Sequence, residues 1–304
     1  MASFEKPTHL EPSKLGTKEY WDTLYTREIS NHSSNPADEG TVWFDDSDAQ
    51  EKILDFLSEE LPQISSRFSR LSPSEASVLD LGSGNGSLLF ALRSEGGFTG
   101  RLVGVDYSSS SVELSRRIAL ARSRGGGGGG GGSDDDDDDE DEGEGEGEEP
   151  LDVSGIEFRQ FDLLSDPIED IQRISSEVKE QYQDRAQEQD GRGGNEQSCG
   201  YDLVLDKGTF DAVSLSDQLD SRGRRVNEGY GERVLQLLKV GGVFLVTSCN
   251  WTEPELQKWF EGSEEPDGGK GRLRMIGRID YPSFEFGGVK GQTISTLCFE
   301  KVIV

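Results

Sequence analysis

Three glycines in five residues, Gly82, Gly84 and Gly86, interrupt the apolar run VLDLGSGNGSLLFAL that spans Val78 to Leu92. Glycine permits positive φ and lets the backbone lie directly against a ligand. The spacing is G-x-G-x-G. A dinucleotide fingerprint needs its third glycine at position 87, which is Ser87, and a phosphate loop needs a Gly-Lys-Ser/Thr that does not follow. Asp80, just ahead of the loop, can order it by accepting its N–H groups. Asp106, in VGVDYSS, stands 20 residues past Gly86 and can accept both hydroxyls of a ribose. Asp162, in FRQFDLL, can accept from the exocyclic amine of an adenine. Each acid alone reads equally well as a turn residue or a helix cap. Three of them, closing three successive strands around a glycine loop, point to a nucleoside site.

The elements that must position these residues alternate. Ser77–Leu81, Arg101–Asp106, Ile156–Phe161, Tyr201–Leu205 and Val243–Thr247 read as strands. Ser87–Arg93, Val112–Arg122, Ile168–Tyr182 and a long segment ending near Lys239 before Gly241 and Gly242 read as helices between them. TEPELQKWF is a further helix with a Thr252/Glu255 capping box. Such alternation predicts an α/β fold with a doubly wound, mostly parallel sheet. Two last strands, near Arg274–Asp280 and Thr293–Val302, have no helix between them, so the final strand should run antiparallel. Ahead of this domain, residues 1–41 read as a polar extension and a helix. Thr17 is its expected cap, and Tyr20, Trp21, Leu24 and Tyr25 share one face that suits core packing. A Ser47/Gln50 capping box opens the next helix.

Of the 304 residues only 32% are hydrophobic, and the net charge is −29. Asp134–Glu149 holds 13 acids and no base, which leaves −16 on the remainder. The insertion at Gly125–Glu149, polyglycine followed by packed acids, reads as a solvated, disordered loop. It joins a helix to the following strand, which places it at the amino ends of the strands, away from ligands. QDGRGGNEQSCG and EEPDGGKGR expand the same face. An acidic surface repels nucleic acid and suits a basic partner. Cys199, Cys249 and Cys298 form no disulfide or zinc pattern, and no run approaches a membrane span. The expectation is a soluble monomer without a metal, in the cytoplasm or else the nucleus.

This constellation resembles the class I S-adenosylmethionine-dependent methyltransferases over residues 42–304. The resemblance implies a seven-stranded sheet with its last strand antiparallel. It also implies a glycine loop facing the methionine part of the cofactor, Asp106 on the ribose and Asp162 on the adenine. The implied cofactor contacts are Trp43, Asp80, Gly82, Ser83, Gly84, Gly86, Asp106, Tyr107, Asp162 and Leu163. Longer strings, SKLGTKEYWDTLY, VLDLGSGNGSLL, VDYSSSSVELS, LDKGTFDAVSL, VTSCNWTEPEL and FEFGG, are similar to the eukaryotic lysine methyltransferases of translation elongation factor 1-alpha. That similarity implies a protein-lysine N-methyltransferase acting on this basic factor.

The acceptor must be a neutral amine, and free lysine titrates at about 10.4. A dry channel and a nearby sulfonium both lower that value. LDKGTFDAVSL lacks the Asn-Pro-Pro-Tyr string of amide and adenine-amine methyltransferases. Asp206, within it, is the expected site carboxylate, in a positioning role, with loop ordering as the alternative. Asn250 can orient the substrate backbone. Tyr20, Trp21, Tyr25, Trp43, Phe44, Phe210, Trp251 and Phe286 can wall the channel, with core packing the better reading for Tyr20, Trp21 and Tyr25. Methyl transfer to another protein, an RNA or a small amine, or cofactor binding without turnover, stays open at this point.

Overall fold

The computed structural model describes residues 6–125, 149–172, 200–261, 271–286 and 289–303, the side chains of 283–292 excepted. The acidic insertion, the segment carrying Cys199, the stretch from 173 to 182, most of EEPDGGKGR and the Phe286 side chain lie outside the described residues.

The main sheet follows from its apolar runs. β1 (Val78–Leu81), β2 (Leu102–Asp106), β4 (Tyr201–Lys207) and β5 (Leu238–Ser248) are buried along nearly their whole length, as strands covered on both faces must be. β3 (Ile156–Gln160), β6 (Arg272–Ile279) and β9 (Ser295–Val302) complete a seven-stranded sheet in the order β3-β2-β1-β4-β5-β9-β6. β1 to β5 run parallel; β9 pairs antiparallel with both β5 and β6. The expected antiparallel last strand is present, inserted between its two neighbours. A two-stranded ribbon, β7 (Ser283–Phe286) and β8 (Val289–Gln292), occupies the connection that the sequence left as a glycine-rich link.

Side chains alternate across the sheet and divide the core into two layers. Val78, Leu203, Leu205 and Leu245 face one layer with α4 (Ser87–Ser94) and α5 (Ser109–Arg122). Leu79, Leu81, Val204 and Val246 face the other with α7 (Thr209–Ser214), α8 (Tyr230–Leu237) and α9 (Glu253–Phe260). α6, the described part of its helix, is Ile168–Gln172. Leu81 pairs with Val105 on one side and Asp206 on the other, and Asp106 pairs with Gln160. The carboxyl ends of the parallel strands therefore finish level, and a crevice runs across them.

α1 (Lys18–Ser34) lies on α5. α2 (Ala49–Asp55) continues through one π-helical turn, Phe56–Glu60, into α3 (Leu61–Ile64). Several expected boundaries differ. The Thr17 hydroxyl donates to the Lys14 carbonyl at 2.7 Å and does not cap α1. Asp48, in a left-handed conformation, precedes α2 in place of a Ser47/Gln50 box. The helix before β5 ends at Leu237, because Leu238 is already extended and Lys239 to Gly242 belong to the strand. The Thr252/Glu255 pair does form: the Thr252 N–H and hydroxyl both donate to the Glu255 carboxylate, at 2.9 and 2.6 Å.

Candidate active site

The turn leaving β1 uses all three glycines in the left-handed region, with φ of 62°, 58° and 83° at Gly82, Gly84 and Gly86. A Cβ on Gly82 would lie 2.1 Å from the Thr209 hydroxyl, and one on Gly84 2.9 Å from the Tyr25 hydroxyl. Absence of side chains here is what leaves a cradle. The Ser83 N–H donates to the Val105 carbonyl at 3.0 Å, and the Gly84 N–H to the Asp106 carboxylate at 3.3 Å. Asp80 accepts none of these bonds. It is buried, 3% exposed, and its carboxylate has no hydrogen-bond partner among the described residues. The acid that orders the loop is thus Asp106, not Asp80. Burial raises the Asp80 carboxyl; the Lys207 charge opposes this, while Asp206 and Asp106 reinforce it.

A cavity of about 300 Å³ occupies the crevice. Its floor follows the strand order: Asp162 and Leu163 after β3, Asp106 and Tyr107 at β2, Leu81 and Gly82 at β1, Lys207 to Thr209 at β4, and Asn250 after β5. Asp106 accepts from the Ser108 N–H at 2.9 Å and the Ser111 hydroxyl at 2.8 Å as well as from Gly84. Burial lifts its carboxyl to about 6, against the pull of those three bonds. Asp162 takes the Leu164 N–H at 2.9 Å and the Ser165 hydroxyl at 2.8 Å, and keeps part of its surface on the cavity. Trp43 lies 5.4 Å from Trp21, ring to ring, and its carbonyl accepts from the Lys207 ammonium at 2.8 Å. Ser83 and Gly84 line a second, smaller cavity beside the loop. Gly86 borders neither, because it packs against Phe158 at the start of α4.

At the β4–β5 end the structure departs from the sequence reading. Asp206 does not border the cavity. The pleat turns it into the helix layer, where its carboxylate accepts from the Thr209 N–H at 2.8 Å, the Phe210 N–H at 3.1 and 3.2 Å and the Tyr230 hydroxyl at 2.6 Å. It caps the start of α7, which is loop ordering. Burial pushes its carboxyl up to about 7 in spite of these bonds. The carboxylate that does border the cavity is Asp211, one helical turn on. It is held by the Ser248 hydroxyl and by the Cys249 N–H at 2.8 Å. Trp251 is a core residue, 3% exposed, packed on Phe210 and Trp259 with its indole N–H on the Ser214 hydroxyl at 3.2 Å. Phe210 is likewise buried among Tyr230, Trp259 and Phe260. Asn250 is exposed on the cavity wall. Trp21 and Tyr25, read as core packing, wall the cavity from α1, and Tyr25 also belongs to the core. Sequence reasoning gave Asp211 and Lys207 no role of their own, and it counted Trp21 and Tyr25 among the channel aromatics while preferring core packing for both. The one available signal was the second acid in DKGTFD.

A sheet of this order, with a glycine turn after β1, an acid closing β2 and a crevice above both, defines a class I methyltransferase. Residues 72–125 match a family model described as a methyltransferase domain. The chain is 37% identical to the protein-lysine N-methyltransferase EFM4 of Saccharomyces cerevisiae, over 96% of each chain. It is 34% identical to the Schizosaccharomyces pombe protein of that name, covering 96% of this chain and 95% of the relative. With human EEF1A lysine methyltransferase 2 it shares 29% identity, over 96% of this chain and 88% of that one. The chain belongs to this family of protein-lysine N-methyltransferases.

Proposed function

We propose that the protein transfers a methyl group from S-adenosylmethionine to a lysine of translation elongation factor 1-alpha. The observation that carries this reading is end-to-end similarity to relatives named for that activity, on a chain whose cavity sits where such a fold binds its cofactor. The residues suit the cofactor: a side-chain-free cradle at Gly82 and Gly84, a buried acid at Asp106 and aromatic walls at Trp21, Trp43 and Tyr107. In this reading Asp106 takes the ribose hydroxyls, Asp162 and Leu163 border the adenine, and the glycine turn holds the amino-acid end. When bound, the cofactor supplies an electrophilic methyl on a sulfonium.

The chain's own task is to deliver a neutral amine. At pH 7 only about one free lysine in a few thousand is neutral. Trp21, Trp43 and Phe44 strip water from the entering side chain, which favours the neutral form. Asp211 and Asn250, at the β5 end of the cavity, position it. Asp211 is a seat rather than a strong base, since a close carboxylate also steadies the ammonium. Alignment of donor and acceptor then supplies most of the acceleration. The reading carries with it a cytosolic enzyme whose acidic surface meets a basic protein.

The test is intact-mass spectrometry of purified elongation factor 1-alpha incubated with enzyme and cofactor. The factor should gain mass in methyl steps, and peptide mapping should place them on lysine. An unchanged factor, with methyl label appearing elsewhere in a cell lysate, would replace the substrate.

A further inference from the structure

The smaller cavity, about 30 Å³, shares Tyr25, Trp43, Gly82 and Lys207 with the larger one as common walls. Asp80 forms another of its walls. Two opposite charges thus face one confined space. They do not pair with each other: among the described residues no carboxylate lies within 4.0 Å of the Lys207 ammonium. That ammonium has three protons to donate, and its one hydrogen bond goes to the Trp43 carbonyl. The Asp80 carboxylate is almost fully buried and makes no hydrogen bond among the described residues. Buried charges that lack a partner in contact are costly, and these two steady each other only across the gap between them, so the arrangement is completed when something brings both an anion and a cation. The other cation on the cavity, Lys18, is already committed to Asp22 at 2.7 and 2.8 Å.

A carbon bearing both a carboxylate and an ammonium, seated where the two cavities meet, supplies both charges, and the amino-acid end of S-adenosylmethionine is that group. Resting on the reading above, we propose that Lys207 is the residue that recognises the cofactor's carboxylate, with Asp80 opposite it on the side of the amino group. The same lysine holds the Trp43 segment through its carbonyl, so one ammonium links the cofactor's tail to the wall of the channel. The next residue, Gly208, lets this segment close: a Cβ there would meet the Phe44 ring at 3.2 Å.

Calorimetry with two ligands tests the assignment: S-adenosylmethionine and its decarboxylated form, which keeps the sulfonium and the amino group. The wild-type chain should bind the decarboxylated form more weakly, by about tenfold or more, as expected for losing one charged hydrogen bond. K207M should lose about as much for S-adenosylmethionine and less than roughly twofold for the decarboxylated form, and K207R should recover part of the loss. Equal binding of both ligands by wild type overturns the assignment without any variant. So does a K207M loss of equal size for both, which would make Lys207 a tether for Trp43 and nothing more. If wild type binds neither ligand, the methyl-donor reading fails and this assignment with it.

Discussion

Asp106 accepts the Gly84 N–H at 3.3 Å across 22 residues of chain. The acid that closes β2 therefore holds the turn that leaves β1, and a single carboxylate serves both the shape of the cradle and its proposed ribose contact. Replacing it should cost more than one ligand hydrogen bond. Asp106→Ala is expected to weaken cofactor binding by more than about a hundredfold, beyond the roughly tenfold to hundredfold of one charged hydrogen bond. Asp106→Asn should lie between it and wild type. Calorimetry reads both, and an unchanged affinity would refute the ribose role.

Asp206 makes a contrasting prediction, about stability and pH. Its folded value of about 7 lies above the unfolded value of about 3.9. The folded chain therefore holds this proton more tightly than the unfolded chain does. The stabilising contribution is complete below about pH 4 and is lost as pH rises towards 7. Asp206→Asn removes the titration. Relative to that variant, wild type should lose on the order of 3 kcal/mol between pH 5 and pH 8 in urea unfolding. Parallel pH profiles would mean that the carboxylate is not buried as described.

Two glycines with similar φ should behave very differently. At Gly97, φ is 69° and a Cβ would meet nothing within 4 Å, so Gly97→Ala should cost only the left-handed backbone strain, about 1–2 kcal/mol. At Gly82 a Cβ would displace the Thr209 hydroxyl from the Leu81 carbonyl, where it now donates at 2.6 Å. Gly82→Ala should abolish measurable cofactor binding as well as lower the melting temperature. Binding retained in Gly82→Ala would count against the cradle.

The flanks of the acidic insertion follow α5 and precede β3, at the end of the sheet opposite the cavity. Its flanks are already joined: the Leu151 N–H donates to the Arg122 carbonyl at 3.0 Å. Replacing Gly125–Glu149 by a short glycine link should leave cofactor affinity and turnover unchanged. A tenfold loss of either would assign the segment a part in binding the cofactor or the protein substrate.

Cys249 is exposed, yet burial of its sulfur and the Asp211 charge push its thiol up to about 12. It should alkylate much more slowly at pH 8 than a free thiol, because the thiolate is the nucleophile. Asp211→Asn should speed the reaction, followed by peptide mass mapping. A rate unchanged by the substitution would separate Cys249 from Asp211.

Much of this was legible in the residues themselves. Apolar runs marked the strands, glycine spacing marked the cradle, and Asp106 could be placed because strand ends follow directly from such runs. What escaped was orientation. Asp206 and Asp211 are both acids beside the end of β4, and which one meets the cavity depends on the parity of the pleat and on where α7 begins. Trp251 directly follows Asn250, yet its bond to Ser214 turns it inward. Trp21 and Tyr25 sit at a helical spacing that core and cavity walls share. Lys207 finds its partner 164 residues away at Trp43, a pairing no local pattern can reveal. The Ser47/Gln50 box failed for the same kind of reason: Ser47 bonds instead with Thr293, at 3.2 Å.

The place of β9 has a bearing on how the chain matures. β6 is made earlier, but its partner in the sheet is β9, which itself lies against β5. While the ribosome is still adding residues 295–302, β6 has no neighbour to bond with and the sheet stops at β5. Domains tend to fold as units during synthesis; this one cannot finish until nearly every residue described here has left the exit tunnel.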